Sequence, residues 1–174
     1  MPTNLYRKMP KKTAGASQNR GGADLAKQQG HPHRDQKPKI IQFTIGRTSF
    51  KAQLSDTPTA ERFWRALPIF SVAETWGETI HFETPVPTGR DRTARINARP
   101  GDICFWTNDN RVIIAFGPSP ISRPGEIRLP TLCNVFAKAM DDASVLKIVT
   151  PGEKVSVKAA DNAHNIERAL KTDN

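Results

Sequence analysis

Three runs of sequence decide the fold: WGETIHFETPV at residues 76–86, GDICFW at 101–106 and RVIIAFG at 111–117. Glycine, proline or an Asn/Asp cluster closes each run, and short runs bounded in this way are typical of β-strands. Two of the three are apolar on both faces, whereas a sheet with one face in water alternates apolar and polar residues. The pattern therefore predicts a sheet that is curled into a barrel and covered on its outside.

A hairpin and an amphipathic helix are predicted N-terminal to these runs. Residues 39–54 read as two strands joined by a tight turn at Gly46-Arg47. Thr57 and Pro58 then provide an N-cap and a proline at the first helical position. The apolar residues of the helix recur at i, i+3, i+4 and i+7, and we expect this face to cover one end of the barrel (Ala60, Phe63, Trp64 and Leu67).

Loops rich in proline separate the remaining elements. Residues 85–100 contain three prolines and four arginines, so we do not expect a central strand there. Residues 117–130 contain four more prolines and are predicted to form a second loop. A strand at 133–140, a short helix capped by Asp142 and a last strand at 154–158 are predicted to complete the domain.

The net charge of +9 is concentrated in the first 39 residues. This segment has nine basic and two acidic side chains, or +7, which leaves +2 for residues 40–174. Because it has few large apolar residues to bury, we predict a disordered basic tail over residues 1–38. Three roles remain open for it: a solubilising extension, a weak nucleic-acid or anionic-surface contact through residues 1–39, and a targeting peptide.

The cysteines and the lengths of the apolar runs indicate in which compartment the chain is found. Cys104 and Cys133 do not have metal-ligand spacing and are expected to be buried thiols in a reducing compartment. No run of 18 apolar residues occurs, so no membrane-spanning segment is expected. We therefore predict a cytoplasmic protein that has no metal and no cofactor, with residues 161–174 as a tail or short helix.

A set of short motifs occurs in order along residues 40–160: Trp76-Gly77-Glu78, Phe82, Thr84-Pro85-Val86, Gly101-Asp102, Trp106, Phe116-Gly117, Pro120 and Asn134-Val135. These motifs resemble those of a bacterial and archaeal family of small cyclophilin-like barrels of uncharacterised function. The resemblance implies a mainly β fold, namely a closed eight-stranded antiparallel β-barrel with capping helices. We place this domain at residues 39–160.

The likeness to cyclophilins raises the question of peptidyl-prolyl cis-trans isomerase activity. A guanidinium that donates to the prolyl nitrogen weakens amide resonance, and cyclophilins carry this arginine in a Phe-His-Arg motif. The corresponding strand here reads Ile80-His81-Phe82-Glu83, and no arginine lies between Arg65 and Arg90. We therefore expect no isomerase activity. The alternative is an isomerase with a non-standard site, whose donor would come from the loop arginines (Arg90, Arg92, Arg95 and Arg99).

A binding module is the leading functional interpretation. Aromatic residues in or beside the strands, together with two polar groups, are typical of a mostly apolar cleft with a few directional contacts. We predict that a peptide or small molecule binds there, with Trp76 as the first candidate for an exposed platform and Trp106 as the second. The predicted ligand-binding residues are Trp76, Glu78, Phe82, Trp106, Phe116 and Asn134.

His81 and Glu83 share one face of a strand and could form an acid–base pair or half of a metal site. No third ligand has suitable spacing, so we expect a solvated polar face instead.

Overall fold

The computed structural model describes residues 37–160. The predicted C-terminal tail or helix at 161–174 and nearly all of the predicted basic tail lie outside these residues, so the nucleic-acid contact assigned to that tail is outside them too. In the described part of the chain, no helix is long and apolar enough to cross a membrane.

The predicted hairpin is confirmed. Strands β1 (Ile40–Ile45) and β2 (Thr48–Leu54) pair in antiparallel fashion, and their alternate side chains are buried. Gly46 adopts a φ of 55° in the turn, a conformation that favours glycine. Its amide donates to the carbonyl oxygen of Lys154 at 3.0 Å, which ties the turn to the last strand of the sheet.

The predicted helix is also confirmed, as α1 (Pro58–Arg65). Thr57 caps it, since its hydroxyl oxygen accepts a hydrogen bond from the Ala60 amide at 3.1 Å. Phe63 is fully buried, and its ring lies 4.8 Å from that of Phe136, centroid to centroid. The apolar face of α1 therefore packs against the inner face of the sheet.

The remaining elements complete one antiparallel sheet. In chain order they are β3 (Ile69–Val72), β4 (Glu74–Thr75), β5 (Thr79–Glu83), β6 (Ala94–Ala98), β7 (Asp102–Trp106), β8 (Arg111–Ala115), β9 (Ile127–Ala139), a 3₁₀ helix (Ala143–Ile148) and β10 (Lys154–Ala159). The strand order is β3-β10-β1-β2-β9-β7-β8-β5-β4, and β6 is added at β9. The fold is thus mainly β, as predicted.

The prediction of a closed eight-stranded barrel is wrong in two respects. The described residues form ten strands, because β4 and β6 add to the predicted set, and the hydrogen-bonded path is open between β3 and β4. These two strands follow each other in the chain with only Ala73 between them, so they meet end to end and cannot pair side by side. The Ala73 backbone bonds instead to Gly152 and Glu153, at 2.8 Å each.

Strand β9 belongs to two layers, and this explains the burial of β7 and β8 on both faces. Its C-terminal half pairs with β2 and β7, whereas β6 pairs with its N-terminal half and with its middle. A second, smaller core therefore forms outside β7 and β8, with Cys104, Ile113, Leu129 and Cys133 among its buried members. The predicted cover on the outside of these strands is confirmed, although β9 begins at Ile127, inside the segment predicted to be a loop.

Candidate ligand-binding site

Two of the six predicted ligand-binding residues lie inside the protein. Phe82 is fully buried in the inner core, with its ring 6.3 Å from that of Phe43. Asn134 has 0% exposure and makes three hydrogen bonds within the protein. Its Nδ2 donates to Thr59 Oγ1 and to the Gly89 carbonyl oxygen, both at 2.8 Å, and its Oδ1 accepts from the Asp91 amide at 3.0 Å. Asn134 therefore holds the loop after β5 against α1 and β9.

Trp76, Glu78 and Phe116 come together at a second place, where β5 begins and β8 ends. The Trp76 amide donates to the Thr79 carbonyl oxygen at 3.0 Å, which closes a tight turn. The Glu78 carbonyl oxygen accepts from the amides of Phe116 and Gly117, at 3.1 and 3.0 Å. All three side chains are partly exposed in this group.

The Glu78 side chain also packs closely on Gly117. A Cβ atom at Gly117 would lie 1.8 Å from Glu78 Oε2, so only glycine fits beneath the carboxylate. The other carboxylate oxygen lies 3.5 Å from Lys147 Nζ. These contacts join the segments 76–78 and 116–117 at one place in the fold.

Trp106 lies at the other end of β8, away from the Trp76 group. It ends β7 and is directly opposite Arg111, the first residue of β8, whereas Phe116 follows the last. The six predicted residues are therefore distributed over three places, and Trp106 alone faces the outside of the sheet beside charged groups.

Arg111 is the centre of a polar cluster on this outer face. Its side chain is only 13% exposed, and its Nη2 donates to Glu74 Oε1. Its Nη1 lies 3.5 Å from Glu83 Oε1, and Glu83 is opposite Arg111 on β5. We name Arg111 and the four residues around it the Arg111 patch: Glu74, His81, Glu83, Trp106 and Arg111.

His81 is the neutral member of the patch. It is opposite Glu74 in the pairing of β5 with β4, but its Nδ1 is 3.8 Å from Glu74 Oε2, which is too long for a hydrogen bond. Burial lowers the pKa of His81, the positive charge of Arg111 lowers it further, and Glu74 opposes both effects. The imidazole is therefore uncharged at neutral pH.

Three buried nitrogen atoms of the patch make no hydrogen bond within residues 37–160: His81 Nδ1, Trp106 Nε1 and Arg111 Nε. One other side-chain nitrogen in this range, Arg95 Nε, shares that property. A buried donor without an acceptor costs about 1–3 kcal/mol, so such groups are rare in native proteins. Their concentration on neighbouring strands indicates a place where an acceptor group would be stabilised.

The sequence revealed only part of this cluster. His81 and Glu83 were recognised as one strand face, and Trp106 as a candidate platform. Arg111 and Glu74 were missed because they belong to other strands and reach the patch only through the pairing of β4, β5 and β8. No spacing within the sequence could have predicted that pairing.

The loop arginines proposed as alternative donors lie elsewhere. Arg95 donates to the carboxylate of Asp102, which is 3% exposed and also accepts from the Arg99 amide at 2.8 Å and Lys138 Nζ at 3.0 Å. The other three side chains are exposed (Arg90, Arg92 and Arg99).

The two cysteines are buried free thiols. Burial raises the pKa of Cys133 to about 12, and it raises that of Cys104 even further. Neither thiol is a nucleophile at neutral pH, because the thiolate is the reactive form. Among residues 37–160, no group of three or more His, Cys, Asp or Glu side chains is arranged to hold a metal ion.

Comparisons with known proteins agree with this fold. A family model described as Cyclophilin-like matches residues 39–158. The chain is similar to the solution structure of a hypothetical protein from Archaeoglobus fulgidus, at 27% identity and a TM-score of 0.62. That match covers 71% of this chain and 95% of the other. No curated protein matches the chain significantly.

Proposed function

Because the chain belongs to the Cyclophilin-like family, we propose that it is a binding module that takes a peptide or small ligand at the Arg111 patch. The observation that carries this proposal is the group of three buried nitrogens without hydrogen-bond partners, His81 Nδ1, Trp106 Nε1 and Arg111 Nε. Trp106 and Arg111 are directly opposite each other on adjacent strands. A ligand carbonyl oxygen that displaced the side chains covering these two nitrogens and reached both would satisfy both N–H groups.

The charges of the patch favour a cationic group beside that carbonyl. Glu74 and Glu83 are 54% and 77% exposed, and together they outweigh the single positive charge of Arg111 when His81 is neutral. A peptide that carries a basic side chain next to a backbone carbonyl combines both features. An acidic peptide would meet two carboxylates at the rim, so we expect the patch to discriminate against it.

Binding without isomerisation is the better interpretation of this geometry. An isomerase needs a guanidinium that is directed at the prolyl nitrogen, whereas the terminal nitrogens of Arg111 are beside Glu74 and Glu83. Of the predicted ligand-binding residues, we keep Trp106 as a direct contact. Trp76, Glu78 and Phe116 would form a separate, secondary contact. Phe82 and Asn134 would act only by supporting the strands from inside.

The test is a titration of the full-length, ¹⁵N-labelled protein with two peptides, acetyl-Gly-Arg-Gly-amide and acetyl-Gly-Glu-Gly-amide. The Arg peptide should shift the Trp106 indole resonance, identified with Trp106→Phe, more than those of Trp64 and Trp76. Glu83→Gln should weaken that binding about threefold or more, since it removes one rim charge. Asp109→Asn removes a charge from an exposed turn and should change nothing.

Two results would contradict the proposal. The first is that neither peptide shifts the Trp106 indole at millimolar concentration, or that both shift it equally. The second is catalysis: X-Pro peptides that isomerise faster with the full-length protein, and not with Arg111→Ala, would make the patch an active site.

A further inference from the structure

A second polar concavity lies on a different part of the outer surface, where β10, β1 and β2 are adjacent. It has a volume of about 470 Å³ and is lined by Gln42, Thr44, Lys51, Ser156, Lys158 and Ala159. The pairing places Gln42 between Lys158 on one side and Lys51 on the other. We call this concavity the basic groove, since two of its six lining residues are lysines and none is acidic.

The charge of the basic groove is not neutralised by the surrounding side chains. Lys51, Lys154 and Lys158 are all exposed on this face, and none of them forms an ion pair within residues 37–160. The Asp141 carboxylate accepts a hydrogen bond from the Lys51 backbone amide at 3.0 Å, but it forms no ion pair with the Lys51 side chain. Hydroxyl and amide groups of Thr44, Ser156 and Gln42 supply further polar contacts. The surface therefore suits an anion that also accepts hydrogen bonds.

An exposed aromatic ring lies directly beside the groove. Phe70 on β3 is opposite Ser156 on β10, so its side chain is on the same outward face, and it is 66% exposed. Val72 is opposite Lys154 and is 51% exposed. Phe70 and Val72 together form a small exposed apolar area beside three lysines.

We propose that the basic groove and Phe70 bind a single-stranded nucleic acid. Its phosphates would lie along Lys51 and Lys158, which are on strands two apart and hence roughly 10 Å from each other, and one base would stack on Phe70. Cationic grooves beside aromatic side chains are the common arrangement in proteins that bind single strands. A duplex does not offer an unstacked base, so the exposed ring favours the single strand. The nine basic side chains of residues 1–39 precede β1 in the sequence and would add to the attraction.

The test is fluorescence anisotropy of the full-length protein with fluorescein-labelled oligo(dT) of about 12 nucleotides over a range of salt concentrations. The double variant Lys51→Gln/Lys158→Gln should raise the Kd about tenfold and reduce the slope of log K against log salt by about 1.4, since each single-strand phosphate contact contributes about 0.7. The control variant Arg90→Gln/Arg92→Gln removes two charges from an exposed loop and should change the Kd less than twofold.

Variants of Phe70 distinguish the contribution of base stacking from that of charge. Phe70→Ser should raise the Kd about fivefold at every salt concentration and leave the salt slope unchanged. Phe70→Leu keeps an apolar side chain at this position but removes the ring, and it should show the same loss of affinity. It replaces the serine variant if that variant does not fold. The proposal is overturned if the groove variant behaves like the loop control, because the tail alone would then bind. Equal affinity for a duplex, or for polyglutamate, would also overturn it.

Discussion

Replacing Asn134 with alanine should lower the free energy of unfolding by about 3–4 kcal/mol. Its fully buried amide makes three hydrogen bonds, to Thr59, Gly89 and Asp91, and each contributes about 1 kcal/mol. The small cavity left behind increases the loss of stability further. Water reduces the loss, because it can reach part of the half-exposed loop and bond to some of the released groups. The total is a large share of the 5–15 kcal/mol that stabilises an ordinary domain.

Urea denaturation followed by tryptophan fluorescence measures this change, provided that the m-value is the same in both proteins. Asn97→Ala is the matched control, because Asn97 is exposed on β6 and its side chain makes no hydrogen bond within the described residues. It should change stability by less than 0.5 kcal/mol or so. A loss below about 1 kcal/mol for Asn134→Ala would refute the structural role and return Asn134 to the predicted ligand contacts.

Three further predictions concern a titration, a turn and a buried charge. Since the pKa of His81 is lowered below 6.5 on folding, the unfolded chain binds more protons, and stability should fall as the pH drops below 6.5. His81→Gln should remove this part of the pH dependence in urea titrations; an unchanged profile contradicts it. Gly77→Ala should cost about 1–3 kcal/mol more than Gly125→Ala, because both have positive φ but only at Gly77 would the Cβ lie 2.6 Å from a backbone oxygen. Equal melting temperatures would exclude that clash. Asp102→Ala should lower the free energy of unfolding by about 2–4 kcal/mol. Asp109→Ala, in an exposed turn, should leave it almost unchanged.

Much of the fold could be predicted because its signals are local. The turn at Gly46 and the cap at Thr57 each depend on a few neighbouring residues, and both are present in the structure. The closure of the sheet could not be predicted in the same way, because it depends on which distant strands become its edges. Strand β6 and the first half of β9 were missed because prolines and arginines there indicated loops, whereas pairing with each other makes these segments strands.

The site was harder to predict than the fold. A strand pattern shows that Trp106 and Arg111 are near a turn, but not that Glu74 is beside them, because that neighbour comes through β5. For Asn134, the sequence suggested a ligand contact where the structure has an internal one. A polar residue in an apolar strand suggests a ligand contact from sequence, and the loop that actually uses its amide is more than 40 positions away.

The junction at Ala73 is a place where the chain can change length without a change in strand pairing. Both ends of the strand order meet there through one residue, and no ladder crosses the junction in the described chain. Residues inserted after Ala73 would therefore lengthen the connection between β3 and β4 without changing the pairing of β3 with β10 or of β4 with β5. In a fully closed barrel, any change of girth requires a whole new strand pairing. Here, the connection between the two ends of the sheet can change in length while every ladder is kept.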